Sequence, residues 1–253
     1  MANRKTALVT GAGRRIGRAI AEDLATNGFA VALAANRSRG DADALAQAIN
    51  AGGGTAQVFA ADLSDAQAVA ALAEAIVTAM GPFDLLVNNA SVFEFDAAPE
   101  FDPALFDRHM AIHVKAPALL AASMAKALPA DEDGLIVNIA DQRVLRLNPA
   151  FFSYTLSKAA MWTATQTMAM AYAPRIRVNA IGPGPTLPSP RQAQADFDAQ
   201  VAAVPLKRGP QLAEIGATIR YLYEARSVTG QLIALDGGQH LAWETPDTVN
   251  IRE

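Results

Sequence analysis

The sequence contains no cysteine, and its charged residues are few. Of 253 residues, 18% are charged, and the net charge at pH 7 is −4. The absence of cysteine excludes disulfides, zinc sites with cysteine ligands and thiol catalysis. The small negative net charge gives no general attraction to nucleic acid or to anionic lipid, so any anion-binding site has to be local. We therefore expect neither a nucleic acid nor a membrane as a partner.

Long uncharged apolar runs are also missing. No stretch approaches the roughly 18 residues that a membrane-spanning helix needs. The apolar run near the N-terminus, from Thr6 to Thr10, is too short for the core of a signal peptide. Hydrophobic residues nevertheless make up 51% of the chain, which is enough for a sizeable core. These features predict a cytoplasmic protein with a single domain over residues 1–253.

Short apolar segments alternate with helical patterns along the chain. Candidate strands cover residues 5–10, 29–34, 55–60, 83–87, 135–139, 175–181 and 231–235. Candidate helices cover residues 18–27, 41–50, 65–80, 102–128 with an interruption at Pro117, 158–173 and 211–225. Repeated strand–helix units with buried apolar strands indicate an α/β fold with a doubly wound parallel sheet. The stretch rich in Gly and Pro at 182–190 is incompatible with a regular element, and residues 187–206 are predicted to form a substrate lid.

A glycine-rich turn follows the first strand. Its glycines are Gly11, Gly13 and Gly17, a spacing one residue longer than G-x-G-x-x-G. Glycines let the backbone approach a pyrophosphate, and the N-terminus of the following helix offers N–H groups to it. The turn therefore indicates a phosphate site, although the turn alone is also compatible with a tight connection.

The end of the second strand indicates which dinucleotide the site prefers. An NAD site usually places Asp or Glu there for the ribose 2′-hydroxyl. This chain has Asn36 followed by Arg37 and Arg39, with Arg14 and Arg15 nearby on the first loop. Arginines bind a 2′-phosphate by charge-assisted hydrogen bonds, so we expect NADPH as the cofactor. The alternative is that Arg37 and Arg39 are ordinary solvated loop charges.

Polar residues follow two further strands. Asp62 and Leu63 could reach an adenine edge, and a role at the start of the next helix is equally compatible with the sequence. Asn88 and Asn89 stand at the end of the fourth strand. Buried amides are costly unless they are hydrogen-bonded, so we expect them to hold neighbouring strands or a cofactor.

A tyrosine and a lysine stand one helical turn apart, at Tyr154 and Lys158. They share a helix face, and an ammonium beside a phenol favours the phenolate, which makes Tyr154 a candidate proton donor. Asp141 follows the fifth strand, and in open α/β sheets ligands bind at the strand ends. His109 and His113 also have helical spacing, but the sequence offers no third ligand and we expect no metal site.

Taken in chain order, these motifs resemble the short-chain dehydrogenase/reductase family. The motifs are Thr10-Gly11, Asn88-Asn89-Ala90, Tyr154-x-x-x-Lys158, Pro183-Gly184 and Asp236-Gly237-Gly238. The resemblance implies a Rossmann-type sheet, a nicotinamide cofactor and a homotetramer. It also implies that Tyr154 is the proton donor, and that Lys158 lowers its pKa and binds the nicotinamide ribose.

Three positions depart from the usual pattern of that family. Arg15 replaces the middle glycine of TGxxxGxG, Asp141 replaces the usual serine, and His113 stands where asparagine is common. The first two departures resemble the pteridine reductase branch, which includes the dihydromonapterin reductases. That resemblance implies that Phe93 stacks on a pterin ring and that Ser91 is a polar contact. Packing of Phe93 in the core is the alternative, and the sequence leaves the role of His113 open.

A carboxylate at position 141 suits a nitrogen heterocycle better than a carbonyl. An ionised carboxylate would repel the negative charge that develops on a carbonyl oxygen. A pterin offers N–H donors to it and has a ring C=N that is protonated as hydride arrives. The predicted activity is therefore NADPH-dependent reduction of a dihydropterin- or dihydrofolate-type substrate, with the proton supplied through Tyr154 and Asp141. The alternatives are a carbonyl or 3-oxoacyl reductase of the same family and a non-catalytic NADP-binding sensor.

The expected site residues form three groups. The catalytic group is Asp141, Tyr154 and Lys158, and the substrate group is Ser91, Phe93, Asp141 and Tyr154. The cofactor group is Gly11, Arg14, Arg15, Ile16, Asn36, Arg37, Ser38, Asp62, Leu63, Asn89, Ala90, Ser91, Tyr154, Lys158, Pro183, Gly184 and Thr186. In a tetramer, the tail at 239–253, around His240, Leu241 and Trp243, could approach the pocket of a neighbouring subunit.

Overall fold

Seven parallel strands form one sheet in the computed structural model, which describes residues 5–189 and 191–245. The strands are β1 (Thr6–Thr10), β2 (Ala30–Ala35), β3 (Thr55–Ala60), β4 (Leu85–Asn88), β5 (Gly134–Ile139), β6 (Ile176–Pro183) and β7 (Leu232–Leu235). Their order in the sheet is β3-β2-β1-β4-β5-β6-β7. The predicted doubly wound sheet of Rossmann type is therefore confirmed. Because β1 lies between β2 and β4, the winding reverses there and opens a crevice at the carboxyl ends of these strands.

Helices cover both faces of the sheet. They are α1 (Arg15–Thr26), α2 (Arg39–Ala51), α3 (Ala66–Met80), α4 (Pro103–Met110), α5 (Ala116–Ala127), α6 (Phe152–Tyr172), α7 (Gln194–Ala203) and α8 (Leu212–Glu224). Neighbouring residues of β1 point to opposite faces. Val9 packs in a core that includes Ile20 of α1 and Ile219 of α8, whereas Leu8 packs with Leu72 of α3. Burial on both faces explains why the strands are apolar throughout. Among the described residues, no helix combines the length and the apolar character needed to cross a bilayer.

The interruption of the predicted helix at 102–128 lies before Pro117. Helix α4 continues into a π-helical segment, Ala111–Lys115, and then into α5. Proline has no N–H to donate to the carbonyl of His113 four residues earlier, and the segment before it widens. The N-terminus of α4 is capped by Asp102, whose side chain accepts from two backbone N–H groups.

Two boundaries differ from the sequence expectation in ways that affect the site. Gly182 and Pro183 belong to β6, where they pair with Ala234 and Leu235 of β7, so the expectation that regular structure stops before them is wrong. Proline is tolerated there because it ends the strand. Helix α7 lies inside the predicted lid, although none of its residues is buried. Without a buried face, the sequence of this segment has no apolar stripe that would predict a helix.

Candidate active site

A cavity of about 1090 Å³ lies at the carboxyl ends of the strands. All of the predicted catalytic, cofactor-binding and substrate residues line it. The segment predicted as the lid contributes Leu187, Ser189, Arg191, Gln192, Asp196, Phe197 and Gln200. Residues that are far apart in the sequence therefore meet around one site.

The glycine-rich turn is packed too tightly for side chains. A Cβ on Gly17 would lie 2.2 Å from the carbonyl oxygen of Gly11, and one on Gly13 would lie 2.7 Å from that of Ser38. No side chain caps the N-terminus of α1. Uncapped N–H groups and the helix dipole favour an anion at this end of the helix. The turn therefore fits the pyrophosphate of a dinucleotide.

Arg15 lies in the left-handed region of the backbone map, with φ of 55°. This region favours glycine and costs other residues on the order of 1 kcal/mol or more, which agrees with the glycine that the family usually has here. Its guanidinium donates to the carbonyl oxygen of Pro188 at 2.8 Å and to that of Leu187 at 3.2 Å. In this structure Arg15 joins the glycine-rich turn to the first residues of the predicted lid.

Arg37 is the available cation at the end of β2. Arg14 forms an ion pair with Asp41 at 2.5 Å, and Arg39 forms one with Asp43 at 3.9 Å. Within the described ranges, Arg37 has no ion pair or hydrogen bond, and it lines the cavity. Of the arginines expected to bind a 2′-phosphate, Arg37 is therefore the one whose guanidinium has no partner among the described residues.

Asp62 lines the cavity after the end of β3. The backbone N–H and hydroxyl of Ser64 donate to Asp62 Oδ1 at 2.9 and 2.7 Å and, with Asn36, lower the pKa of this carboxyl. Helix α3 is capped by Asp65, which accepts from the N–H of Gln67 at 2.8 Å. Asp62 is therefore not the cap of that helix.

The two asparagines at the end of β4, Asn88 and Asn89, connect neighbouring strands, as expected. Asn88 Nδ2 donates to Asn138 Oδ1 on β5 at 2.8 Å. Asn89 Nδ2 donates to the carbonyl oxygen of Thr10 at 2.9 Å, and its backbone N–H donates to the Thr10 hydroxyl at 2.9 Å. These bonds hold the loop after β4 beside the glycine-rich turn.

Tyr154 and Asp141 are hydrogen-bonded. The phenol donates to Asp141 Oδ2 at 2.8 Å, and only 6% of Tyr154 is exposed. Burial raises the pKa of Tyr154 well above its ordinary value, and the charge of Asp141 and this hydrogen bond raise it further. The expectation that Lys158 favours the phenolate is thus overturned here, because burial and the neighbouring carboxylate favour the neutral phenol.

Lys158 is buried beneath the tyrosine. Its Nζ donates to the carbonyl oxygen of Ile139 at 2.7 Å and lies 5.7 Å from the centre of the Tyr154 ring. Burial lowers the pKa of Lys158 to about 8, and the charge of Asp141 opposes this shift. The lysine is therefore held at the end of β5, within reach of the cavity.

Phe93 lies on the cavity wall and not in the core. It is half-buried, stacks on Phe151 with ring centres 4.2 Å apart, and meets Tyr154 edge-on at 4.8 Å. Guanidinium groups of Arg143 and Arg191 lie 5.5 and 5.9 Å from its centre. Such cation–π contacts stabilise an aromatic wall.

The loop after β4 is attached to the start of α6. Asp96 is buried, and its carboxylate accepts from the backbone N–H of Ser153 at 3.0 Å and from the Ser153 hydroxyl at 2.5 Å. His113 also connects this loop to α6, because its ring nitrogens are hydrogen-bonded to Ser91 in the loop and to Ser157 in the helix. These contacts position Phe93 against Tyr154.

Several residues of the cavity wall were not expected from the sequence. They include Arg108, Ile112, Gln142, Arg143, Arg146, Leu147, Phe151 and Gln239. Phe151 precedes helix α6 and has a left-handed backbone conformation with φ of 60°, so helical spacing gives no signal for its position. Most of the others come from loops, where spacing says little about position.

Comparison with known proteins gives consistent results. The family model described as short chain dehydrogenase matches residues 5–199. The structure is similar to that of FolM alternative dihydrofolate reductase 1 from Brucella canis, complexed with NADP, with a TM-score of 0.95, 59% identity, and coverage of 97% of each chain.

Curated relatives are more distant. An uncharacterized oxidoreductase of Methylorubrum extorquens is 36% identical over 92% of this chain and 97% of its own length. A 3-oxoacyl-[acyl-carrier-protein] reductase, FabG, of Staphylococcus aureus is 30% identical over 94% of this chain and 98% of its own length. The family model covers the strands from β1 to β6, whereas β7 lies beyond its last matched residue, 199.

Proposed function

This chain belongs to the short-chain dehydrogenase/reductase family, and we propose that it is an NADPH-dependent reductase of dihydropterin- or dihydrofolate-type rings. The observation that carries this proposal is the carboxylate of Asp141, hydrogen-bonded to Tyr154 at 2.8 Å beside the aromatic face of Phe93. A carboxylate accepts from the N–H groups of a nitrogen heterocycle and does not stabilise a carbonyl oxyanion. The similarity to an alternative dihydrofolate reductase complexed with NADP, at 59% identity, supports the same substrate class and cofactor.

The cavity accommodates NADPH, which supplies the hydride when bound. Arg37 and Ser38 would hold the 2′-phosphate, and Asp62 and Leu63 would contact the adenine. The pyrophosphate would lie at the N-terminus of α1. The remaining contacts to the cofactor would come from Gly11, Arg14, Arg15, Ile16, Asn36, Asn89, Ala90, Ser91, Tyr154, Lys158, Pro183, Gly184 and Thr186, all of which line the cavity.

The reacting end combines an aromatic face with two proton-carrying groups. Phe93 stacks on the substrate ring, and offset stacking contributes on the order of 0.5–1.5 kcal/mol beyond burial. The raised pKa of Tyr154 keeps its proton on the phenol until a base forms nearby. The hydrogen bond to Asp141 Oδ2 provides a route for that proton toward a ring nitrogen. Lys158 would bind the nicotinamide ribose through Nζ.

The lid and the assembly belong to the same proposal. Residues 187–206 would close over the substrate, and the hydrogen bonds from Arg15 to the carbonyl oxygens of Leu187 and Pro188 support this role. The protein would act in the cytoplasm as a homotetramer. In it, the tail with His240, Leu241 and Trp243 would approach a neighbour's cavity; the part of the tail at 246–253 lies outside the described residues. Removing residues 239–253 should then shift the mass measured by light scattering, and an unchanged mass would argue against this part.

Oxidation of NADPH against a panel of substrates tests the proposed reaction. We expect turnover with dihydrobiopterin, dihydromonapterin or dihydrofolate, and little with a diketone or an acetoacetyl thioester. The reverse pattern would identify a carbonyl or 3-oxoacyl reductase, a function that the 30% identity to FabG makes the second candidate. Binding of NADPH without turnover of any substrate would identify a sensor.

A further inference from the structure

His113 is fully buried between the loop after β4 and helix α6. Its Nε2 receives a hydrogen bond from the backbone N–H of Val92 at 3.1 Å and lies 2.9 Å from the hydroxyl of Ser91. Its Nδ1 lies 2.8 Å from the hydroxyl of Ser157, which in turn donates to the carbonyl oxygen of Tyr154 at 2.8 Å. Both ring nitrogens are therefore engaged.

These contacts leave one possible protonation state. A backbone N–H can only donate, so the Nε2 that faces Val92 has to be an unprotonated acceptor. A neutral imidazole carries one proton, which is then on Nδ1 and donated to Ser157. The Ser157 hydroxyl is free to accept it because its own hydrogen goes to Tyr154. An imidazolium would set an Nε2–H against the Val92 N–H, so the ring is neutral.

The surroundings of the ring favour the same neutral state. Burial lowers the pKa of His113 well below its ordinary value, and the charges of Lys158 and His109 lower it further. The rings of His109 and Tyr154 lie 5.5 and 5.6 Å from the His113 ring. The titratable groups that face the ring in the described part of the chain are Lys158, His109 and Tyr154, and none of them is a carboxylate that would stabilise its charged form.

The tautomer of His113 determines the orientation of the Ser91 hydroxyl. Because Nε2 has no proton, the Ser91 O–H has to be the donor in their 2.9 Å contact. Ser91 is exposed and lines the cavity, so the lone pairs of its Oγ remain available there. Asp141 likewise presents only acceptor atoms. Ser91 Oγ and the carboxylate of Asp141 thus both present hydrogen-bond acceptors to the cavity near Phe93.

We propose that His113 is a positioning residue that fixes Ser91 as a hydrogen-bond acceptor and thereby selects substrate rings that present N–H donors. This inference rests on the proposed function, since it concerns the same ring substrate. It gives a role to the residue that stands where the family commonly has asparagine. Asparagine is shorter than histidine and does not span the distance from α6 to Ser91 and Val92.

Two substitutions separate this role from simple packing. In His113→Gln, the amide reaches the position of Nε2, and its oxygen accepts from both Val92 and Ser91. In His113→Asn, the amide ends near the position of Nδ1, so it keeps the bond to Ser157 but releases the Ser91 hydroxyl. A residue that merely fills space would give the same result with both.

The measurement is discrimination between two substrates. One is a dihydropterin, and the other is its analogue in which a methyl group of similar size replaces the ring amino group. The ratio compares kcat/KM for the dihydropterin with kcat/KM for the methyl analogue. We expect it to fall about tenfold in His113→Asn and to recover in His113→Gln. Ser91→Ala should lower the ratio equally, and the double variant Ser91→Ala/His113→Asn should lower it no further. Additive effects, or an unchanged ratio in His113→Asn, would overturn the proposal.

The protonation state is measured independently by ¹⁵N NMR of histidine-labelled protein. We expect Nε2 of His113 to show the shift of an unprotonated nitrogen and Nδ1 that of a protonated one, from about pH 5 to 9. A protonated Nε2 would overturn the proposal even if His113→Asn folds poorly. If the wild type reduces no pterin, the proposed function fails, and this spectrum still decides the state of His113.

Discussion

Tyr154 directs its hydroxyl to Asp141 Oδ2 over 2.8 Å, so the phenol proton lies between helix α6 and the end of strand β5. In the family pattern a serine stands at position 141 and a lysine tunes the tyrosine. Here burial and a carboxylate raise the pKa of Tyr154, which keeps the phenol protonated. The carboxylate thus helps to keep the proton on the phenol, which the proposed role of Tyr154 as proton donor requires.

Asp141→Asn should lower kcat for dihydropterin reduction on the order of 10²- to 10⁴-fold. An amide preserves the shape but donates through one of its groups, so it neither accepts fully from the substrate N–H nor relays the phenol proton. Steady-state oxidation of NADPH measures this change. Wild-type rates in Asp141→Asn would remove the carboxylate from the mechanism.

Tyr154→Phe should abolish turnover while NADPH still binds. The phenylalanine keeps the edge-on contact with Phe93 and loses only the hydroxyl, so the stability of the fold should change little. Titration with NADPH, followed by its fluorescence, measures cofactor binding, and a stopped assay measures turnover. Appreciable turnover in this variant would show that another group donates the proton.

Arg37→Ala should raise KM for NADPH about 10- to 100-fold and leave KM for NADH nearly unchanged, because it removes a charge-assisted bond to the 2′-phosphate. Arg39→Ala is the matched control, since Arg39 pairs with Asp43 on the exposed side of α2. Equal effects of Arg37→Ala on both cofactors would contradict phosphate recognition by this residue.

Arg15→Gly should loosen the lid without unfolding the protein. Glycine adopts the positive φ of this position without strain, so the free energy of unfolding should stay within about 1 kcal/mol. Loss of the bonds to Leu187 and Pro188 should speed proteolysis within 187–206 and raise KM for the substrate. Arg18→Ala is the control, because Arg18 pairs with Glu22 on the surface of α1. Identical proteolysis rates in both variants would show that the hydrogen bonds of Arg15 to Leu187 and Pro188 do not hold the lid.

The buried lysine should give the stability a measurable pH dependence. The folded state lowers the pKa of Lys158 from 10.5 to about 8. Between these values the unfolded chain binds more protons than the folded chain, so this group raises the free energy of unfolding as pH increases. Below about pH 8 both states are charged, and the full cost of burying the charge is present.

Lys158→Met removes this titration. Urea unfolding without cofactor, at several values from about pH 7 to 10, should show the wild type gaining on the order of 2 kcal/mol relative to Lys158→Met. A constant difference across that range would mean that Lys158 titrates normally. Activity should fall above about pH 8, because the ammonium that would hold the nicotinamide ribose loses its charge.

The sequence by itself determined the sheet, the location of the cavity and its predicted lining. Apolar segments of strand length alternate with helices, and such patterns depend on local periodicity. The spacing of Tyr154 and Lys158 places both on one face of α6 by helix geometry alone. The glycine-rich turn after β1 is likewise predicted from the order of its glycines, and the structure packs Gly13 and Gly17 too tightly for a side chain.

Only the tertiary structure decided how the charged and polar groups act. Arg14 is neutralised by Asp41, and helix α7 has no buried face that would mark it in the sequence. The pKa of Tyr154 depends on burial and on Asp141, and the tautomer of His113 depends on Val92 and Ser157 from other elements. Protonation responds to desolvation and to neighbours in space, and neither is encoded in the spacing of residues along the chain.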